Sequence, residues 1–312
     1  MMLDQREHQE ISRQDTDKIA HLCDRRFGIG ADGLILLQNL PDYDFEMIYF
    51  NADGRESSMC GNGGRCIAAF AKHLGTVGDY CRFWAIDGEH EARITPFPVS
   101  TPPPAPPPKR RGDRDDVAER STSPLLFGGG AGGGVDTGEG PGLWVELKMS
   151  DVQNIEQQGS AFILNTGSPH YVRFENNLEN LDMVREGRAV RYSERFKAEG
   201  INVNLASEIS SPYPPEGSGQ ALQGENLPPL TIRTYERGVE DETLACGTGV
   251  TAVAIAAFVR RGQTSGDAEV RVKARGGDLA VRFHANSDGS FSDIWLCGPA
   301  QRVFEGEIED LF

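Results

Sequence analysis

The sequence predicts an α+β protein of two similar, pseudo-symmetric domains, with the active site in the cleft between them. Many short strand-like segments and few helix-like segments recur in two similar halves, and this pattern favours that class. Each half also contains a Cys-Gly-x-Gly segment directly before a run of small apolar residues, at 60–63 and at 246–249. The 312 residues are enough for two domains of ordinary size.

The first half is predicted to contain strands, one short helix and a hairpin. Small and apolar residues predict a helix at 65–74, which ends before Gly75. The Asp87-Gly88 pair between two strand-like runs predicts a hairpin turn. Strands are predicted at 34–38, 46–50, 81–86, 90–95 and 143–147.

A segment of unusual composition interrupts the first half at about 98–142. Its beginning is dominated by proline, its middle by charged residues and its end by glycine. Such a segment buries too little apolar area to offset the entropy lost on ordering, so we expect it to be disordered.

The second half repeats the theme of the first and then closes with a run of strands. Helices are predicted at 180–190 and 252–260, the second one after Cys246. Strands are predicted at 161–164, 171–174, 201–205, 230–235, 269–273, 279–283 and 291–296. In each half, a strand leads through a glycine-containing turn into Cys-Gly-x-Gly and then a helix.

Composition and charge exclude several classes of function. The net charge of −16 argues against nucleic-acid binding, which needs a basic face. No apolar run approaches the roughly 18 residues that span a bilayer, and the first ten residues contain no apolar signal core. Six cysteines in a chain of this length do not form a disulfide framework, so we expect a cytoplasmic protein with free thiols.

The paired cysteines point to proton transfer at a carbon atom. A helix N-terminus stabilises a thiolate and offers free backbone N–H groups to a carboxylate. Two such termini facing one substrate would hold its carboxylate, remove an α-proton on one side and return a proton on the other. No lysine lies in a recognisable pyridoxal-phosphate context, so we expect no cofactor.

The cysteines have three other interpretations. Either cysteine taken alone would pass for a buried small apolar residue. A zinc site is disfavoured, because Cys60 and Cys66 are not spaced as Cys-x-x-Cys and no His/Cys cluster stands near Cys246; we therefore expect no metal. A disulfide between Cys60 and Cys246 would be an inactive, oxidised state.

The motifs around the two cysteines resemble those of the diaminopimelate epimerase family, along nearly the whole chain outside 98–142. This family is a cofactor-independent group of enzymes of lysine and peptidoglycan precursor biosynthesis. The matching segments are Asp24–Gly33, Phe50–Gly54, Met59–Arg65, Gly167–His170, Asn202, Tyr235–Gly238 and Glu242–Gly249. The resemblance implies interconversion of LL- and meso-2,6-diaminopimelate by a two-cysteine, two-base proton transfer at Cα.

The resemblance also implies the roles of individual residues. Cys60 and Cys246 would act as base and acid in exchangeable roles, assisted by His170 and Glu236. Arg237 would contact the carboxylate at the distal, non-reacting end of the substrate. The full set of implied substrate contacts is Asn51, Gly61, Asn62, Ser168, Asn202, Glu236, Arg237, Gly247 and Thr248.

The chain departs from the family pattern at two places. The family opens with a strand that contains Gly-x-Gly-Asn-Asp-Phe, whereas Met1 to Asp4 resemble only the end of that strand. We therefore expect a truncated first strand, and a chain extended upstream to be more stable and more active. The usual Gly-Asn-Pro-His is here Gly-Ser-Pro-His, so Ser168 replaces an amide that contacts substrate.

Two rival functions remain open at this point. A proline or hydroxyproline epimerase would use the same two-cysteine mechanism. Alternatively, the missing part of the first strand would leave a non-catalytic protein that is only a binding or structural remnant. The resemblance implies a first domain of 1–155 plus 298–312, to which the last segment returns, and a second domain of 156–297. It also implies a small-molecule substrate and a homodimer, although the residues themselves do not fix the oligomeric state.

Overall fold

The computed structural model describes residues 1–57, 60–97, 142–209, 229–244 and 246–306. The segment predicted to be disordered lies outside these ranges except for Gly142. The helices are α1 Thr16–Cys23, α2 Gly61–His73, α3 Met183–Arg191 and α4 Gly247–Arg260. The strands are β1 Met2–Asp4, β2 Gly33–Gln38, β3 Phe45–Asn51, β4 Glu56–Ser57, β5 Tyr80–Ala85, β6 Gly88–Pro96, β7 Leu143–Lys148, β8 Ile155–Gln158, β9 Ala161–Asn165, β10 Pro169–Phe174, β11 Asn202–Glu208, β12 Leu230–Glu236, β13 Asp241–Thr243, β14 Gly266–Ala274, β15 Gly277–Ala285 and β16 Phe291–Ala300.

The strands form two halves with the same order and the same directions. The first half runs β1-β2-β3-β5-β6-β7 and the second runs β10-β11-β12-β14-β15-β16. In both, the first and third pairings are parallel and the others are antiparallel. The short strands β4 and β13 pair with β3 and β12 at corresponding places. A pseudo-two-fold therefore relates the halves, and the predicted pair of similar α+β units is confirmed.

The helices α2 and α4 occupy corresponding places inside the two halves. Residues 249–258 of α4 are buried, and α2 is buried at 63–69. A helix that is buried on most sides must be enclosed by protein. The helix α2 packs on β2, β6, β7 and β16, and α4 packs on strands of the second half. Small side chains such as alanine and glycine allow the strands to approach these helices closely.

The closing strand β16 joins the two halves. It pairs antiparallel with β15 of the second half and, from Trp295 to Ala300, with β7 of the first. From Trp295 to Ala300 the chain therefore lies beside the first half. The boundaries proposed for the two domains stay a prediction.

The predicted elements are confirmed in kind, and their ends are shifted by a few residues. The predicted helix at 65–74 begins earlier, at Gly61, because Cys60 caps it and the glycines that follow take helical conformation. The second thiol helix likewise begins at Gly247 rather than at residue 252. Four short elements, α1, β4, β8 and β13, were not predicted from the sequence. Within the described ranges, no helix has the length and apolar content needed to cross a bilayer.

Candidate active site

The starts of α2 and α4 touch each other at the centre of the molecule. A Cβ added to Gly61 would lie 3.0 Å from Gly247 Cα, and one added to Gly247 would lie 2.9 Å from Gly61 Cα. The side chain of Leu296 from β16 closes off the contact, 2.7 Å from both added atoms. Only glycine fits at these two positions, so the first glycine of each Cys-Gly-x-Gly segment brings the two cysteines to a common site.

Cys60 is the N-cap of α2 and its sulfur faces the first turn of the helix. The backbone N–H of Gly63 donates to Cys60 Sγ at 3.2 Å. The residue keeps an exposed surface, while the protein packed around its sulfur raises the pKa of the thiol. The N–H of Gly63 and the guanidinium of Arg65 oppose this rise, and the carboxylate of Glu236 adds to it.

Cys246 occupies the corresponding N-cap position of α4 and is half-buried. Burial raises the pKa of its thiol to about 12, and the Glu236 carboxylate contributes in the same direction. The hydroxyl of Thr248, 3.4 Å from Cys246 Sγ, stabilises the thiolate and opposes the shift. This thiol is therefore protonated at neutral pH.

A chain of hydrogen bonds runs from Cys246 into the core of the second half. Thr248 Oγ1 lies 2.9 Å from His170 Nε2, and Asn204 Nδ2 lies 3.0 Å from His170 Nδ1. The same Asn204 amide nitrogen donates to the Tyr171 carbonyl, and the Thr234 hydroxyl donates to Asn204 Oδ1. These contacts make Asn204 the donor to Nδ1, so the ring hydrogen lies on Nε2, which is 2.9 Å from the hydroxyl oxygens of both Thr248 and Ser168.

The Nε2 atom of His170 lies within hydrogen-bond distance of the hydroxyls of Thr248 and Ser168, and no hydrogen bond joins the ring to the sulfur of Cys246 among the described residues. The ring is 0% exposed. Burial and the positive charge of Arg237 lower the pKa of His170 to about 3. The imidazole is therefore neutral at physiological pH and donates from Nε2 without bearing a charge.

Ser168 and Asn202 form a second layer of this network. Ser168 Oγ lies 2.9 Å from His170 Nε2 and 3.2 Å from Thr248 Oγ1. Asn202 Nδ2 donates to Ser168 Oγ at 3.1 Å, and Asn202 Oδ1 accepts from the backbone N–H of Arg237 at 2.9 Å. Ser168 therefore connects the His170 ring to Asn202, which in turn fixes the backbone that bears Arg237.

The ends of β3 and β12 place the remaining predicted residues. Glu236 and Asn51 are the last residues of these corresponding strands. The Glu236 carboxylate acts electrostatically on both thiols, and burial raises its own pKa while the Thr243 hydroxyl opposes the rise. Asn51 is exposed, and no hydrogen bond joins its side chain to the other predicted residues in the part of the chain that the structure describes.

Five residues of the site were missed in the sequence. Tyr49 lies two positions before Asn51 on the same face of β3, and its pKa is raised first by burial and then by Cys60. Asn204 and Thr234 complete the hydrogen-bond chain, and Arg65 and Thr251 lie behind the two thiols. The alternation of Asn202 and Asn204 in one strand was a usable signal, since both side chains must share a face.

The described ranges contain no group of three or more His, Cys, Asp or Glu side chains that could hold a metal ion. The donors that converge at the helix starts are backbone N–H groups and hydroxyls, which suit an anionic group of a substrate.

Comparison with known proteins gives matches along nearly the whole chain. A family model described as "Diaminopimelate epimerase" matches residues 1–95 and 162–303. A diaminopimelate epimerase of Flavobacterium psychrophilum is 39% identical over 308 residues, covering 99% of this chain and 95% of that relative.

Solved structures with a similar fold share little sequence with this chain. A phenazine biosynthesis protein of the PhzF family from Bacillus anthracis has a TM-score of 0.58 at 12% identity. The match covers 90% of this chain and 85% of the Bacillus anthracis chain. A probable proline racemase from Agrobacterium radiobacter, solved with bound carbonate, has a TM-score of 0.54 at 14% identity. The match covers 96% of this chain and 83% of the racemase chain. At these identities the structures support the fold alone.

Proposed function

The chain belongs to the diaminopimelate epimerase family, and from that membership we propose that it interconverts LL- and meso-2,6-diaminopimelate without a cofactor. The observation that best supports this proposal is the contact between two helix starts, each capped by a cysteine. A site built in this way offers one thiol to each face of a single carbon atom.

The reaction follows from the groups around that carbon. The α-carboxylate of the substrate would accept hydrogen bonds from the free N–H groups at the starts of α2 and α4. These groups would also stabilise the negative charge that spreads onto the carboxylate when the α-proton leaves. One sulfur, as thiolate, removes the proton, and the thiol on the other side gives a proton to the opposite face. The roles exchange in the reverse direction.

The supporting groups would act mainly on Cys246. The Nε2–H of His170 would donate to the Thr248 hydroxyl, and this hydroxyl would then donate to the sulfur when it becomes a thiolate. The Glu236 carboxylate disfavours a negative charge on either sulfur and so keeps a proton available in the site. Closure of the cleft would exclude water and strengthen each of these interactions.

Specificity for a substrate with two amino-acid ends would come from groups away from the thiols. Arg237 and Asn51 are exposed and contain donors that suit a distal carboxylate. Asn202 and Ser168 would act indirectly. Asn202 would fix the backbone of Arg237, and Ser168 would fix the His170 ring. An amino acid without a second carboxylate would leave the guanidinium of Arg237 without an anionic partner.

The test compares diaminopimelate with proline and trans-4-hydroxyproline, because epimerases of the latter pair share the two-thiol chemistry. Each compound is incubated with the protein and its stereoisomers are separated by chiral chromatography. We expect turnover of diaminopimelate alone. An Arg237→Met variant should raise KM for diaminopimelate, whereas Arg185→Met, which removes an exposed arginine on α3, should not. Turnover of proline in place of diaminopimelate would show that the proposed substrate is wrong.

A further inference from the structure

The turn between β12 and β13 is fixed by a single carboxylate. Glu240 is the last residue of this turn, and its side chain accepts four hydrogen bonds from described residues. Oε1 accepts from the backbone N–H of Gly238 and from Arg191 Nε, each at 3.2 Å. Oε2 accepts from the hydroxyls of Tyr192 and Tyr235, each at 3.0 Å. One side chain therefore joins the turn to the end of α3 and to the strand β12.

Glu240 occupies this place at a conformational cost. Its φ is 59°, in the left-handed region where residues other than glycine are strained. Glu242 of β13 and Glu56 of β4 take corresponding places, since each pairs with the residue before the last of the preceding strand. Two positions before Glu56 stands Gly54, with a φ of 80°. The first half thus has glycine where the second half keeps a strained glutamate, and such a departure is expected at a functional site.

Arg237, the first residue of the turn, lies beside the groups that Glu240 binds. Its Nη1 donates to the carbonyl of Glu199 at 3.1 Å, and its Cδ would lie 2.7 Å from a Cβ added to Gly200. Arg191 packs on the same glycine, with Cζ 2.8 Å from that added atom. The two arginine side chains therefore lie side by side. The ion pair with Glu240 neutralises Arg191, whereas Arg237 has no ion-pair partner among the described residues.

We propose that Glu240 is a positioning residue, which fixes the turn so that the Arg237 guanidinium meets a carboxylate at the distal end of the substrate. The substrate part of this inference rests on the proposed function. Two hydrogen bonds set the shape of the turn, because the N–H of Gly238 donates to the Glu240 carboxylate and the N–H of Glu240 donates to the Glu236 carbonyl. A turn that is ordered before the substrate arrives loses little entropy on binding.

The test replaces the two tyrosines that donate to Glu240. The variant Tyr192→Phe/Tyr235→Phe removes two hydrogen bonds and keeps the charges and the rings in place. Substitution of Glu240 itself would leave the charge of Arg191 unneutralised beside Arg237 and would mix two effects. We expect KM for diaminopimelate to rise about tenfold, the size of one hydrogen bond to a charged group. The value of kcat should stay within about twofold, because Arg237 binds the end of the substrate that does not react.

Two comparisons separate recognition of the substrate from general stability. The matched control is Tyr80→Phe, which removes a hydroxyl 3.0 Å from the Glu91 carboxylate in the first half and should leave KM and kcat unchanged. In an Arg237→Met background, replacing the two tyrosines should raise KM no further, because both changes act on the same contact. An equal rise in KM with and without Arg237 would overturn the inference.

A second readout needs no turnover. Deuterium uptake by the backbone amides of residues 236–241 is followed by mass spectrometry in the protein without substrate. Uptake in the variant without the two tyrosine hydroxyls should be about fivefold faster than in Tyr80→Phe, since the turn opens more often when it loses hydrogen bonds. Equal uptake would overturn the inference, and so would faster uptake with an unchanged KM.

The single variant Tyr192→Phe covers the case in which the double variant does not fold, because this residue is exposed. It should change uptake and KM in the same direction by a smaller factor, and no change in either would again overturn the inference. Faster uptake in a protein that does not epimerise diaminopimelate would refute the proposed function and leave the fixing of the turn by Glu240 standing.

Discussion

The substitution Gly247→Ala tests the contact that brings the two thiols to one site. The added Cβ would lie 2.9 Å from Gly61 Cα and 2.7 Å from Leu296 Cδ2, whereas ordinary contacts are 3.4–4 Å. The backbone of one helix start would have to move by about 0.5–1 Å, because a packed interior offers no free space. Such overpacking costs about 1–3 kcal/mol of stability.

The effect on the reaction should exceed the effect on folding. A displacement of about 1 Å between reacting groups lowers rates by roughly a hundredfold. We therefore expect kcat for diaminopimelate epimerisation to fall by about tenfold to a hundredfold, with a modest drop in the thermal midpoint. The control is Gly78→Ala, where the added atom meets nothing within 4 Å. A folded Gly247→Ala protein with the kcat of this control would refute the argument.

Two predictions concern the hydrogen-bond chain behind Cys246. Asn204→Leu removes the donor to His170 Nδ1, so the ring loses its fixed tautomer and kcat should fall at least tenfold. The control variant Arg185→Met should keep the kcat of the unmodified protein. An unaltered kcat in Asn204→Leu would contradict the role given to the ring. The second prediction concerns acid stability. Unfolded His170 takes up a proton below about pH 6.5, whereas the buried ring does so only near pH 3. The unfolding free energy should thus decline as pH falls through this window, by up to about 1.4 kcal/mol per pH unit from this group. Urea titrations should show a shallower decline for His170→Gln, and parallel curves for the two proteins would show that the buried ring does not contribute.

The features predicted best are those that depend only on residues close together in the sequence. The Cys-Gly-x-Gly segments predicted two thiols at helix starts because capping, glycine spacing and the following small residues all lie within one or two helical turns. The structure adds the reason for the glycines. Gly61 and Gly247 permit contact between the helices, while Gly249 makes room for Asn204, whose Oδ1 would lie 2.5 Å from an added Cβ.

The features missed depend on pairing between distant strands. His170 meets Asn204 only because β10 and β11 are parallel, with His170 beside Asn202 and Val172 beside Asn204. The burial of Arg65 depends on β16, whose Gly298 lies against its guanidinium. Neither the strand register nor the burial of a charged side chain can be obtained from local spacing, so these contacts became visible only in the folded chain.

The most direct test of the two-thiol account is the fate of the α-proton of diaminopimelate in deuterated water. The unmodified protein should form the other stereoisomer with deuterium at Cα. Cys60→Ala and Cys246→Ala should each lower epimerisation by about a hundredfold or more, because each removes one of the two proton-transfer groups. Epimerisation at the unmodified rate in either variant would contradict the claim that both thiols act on one carbon.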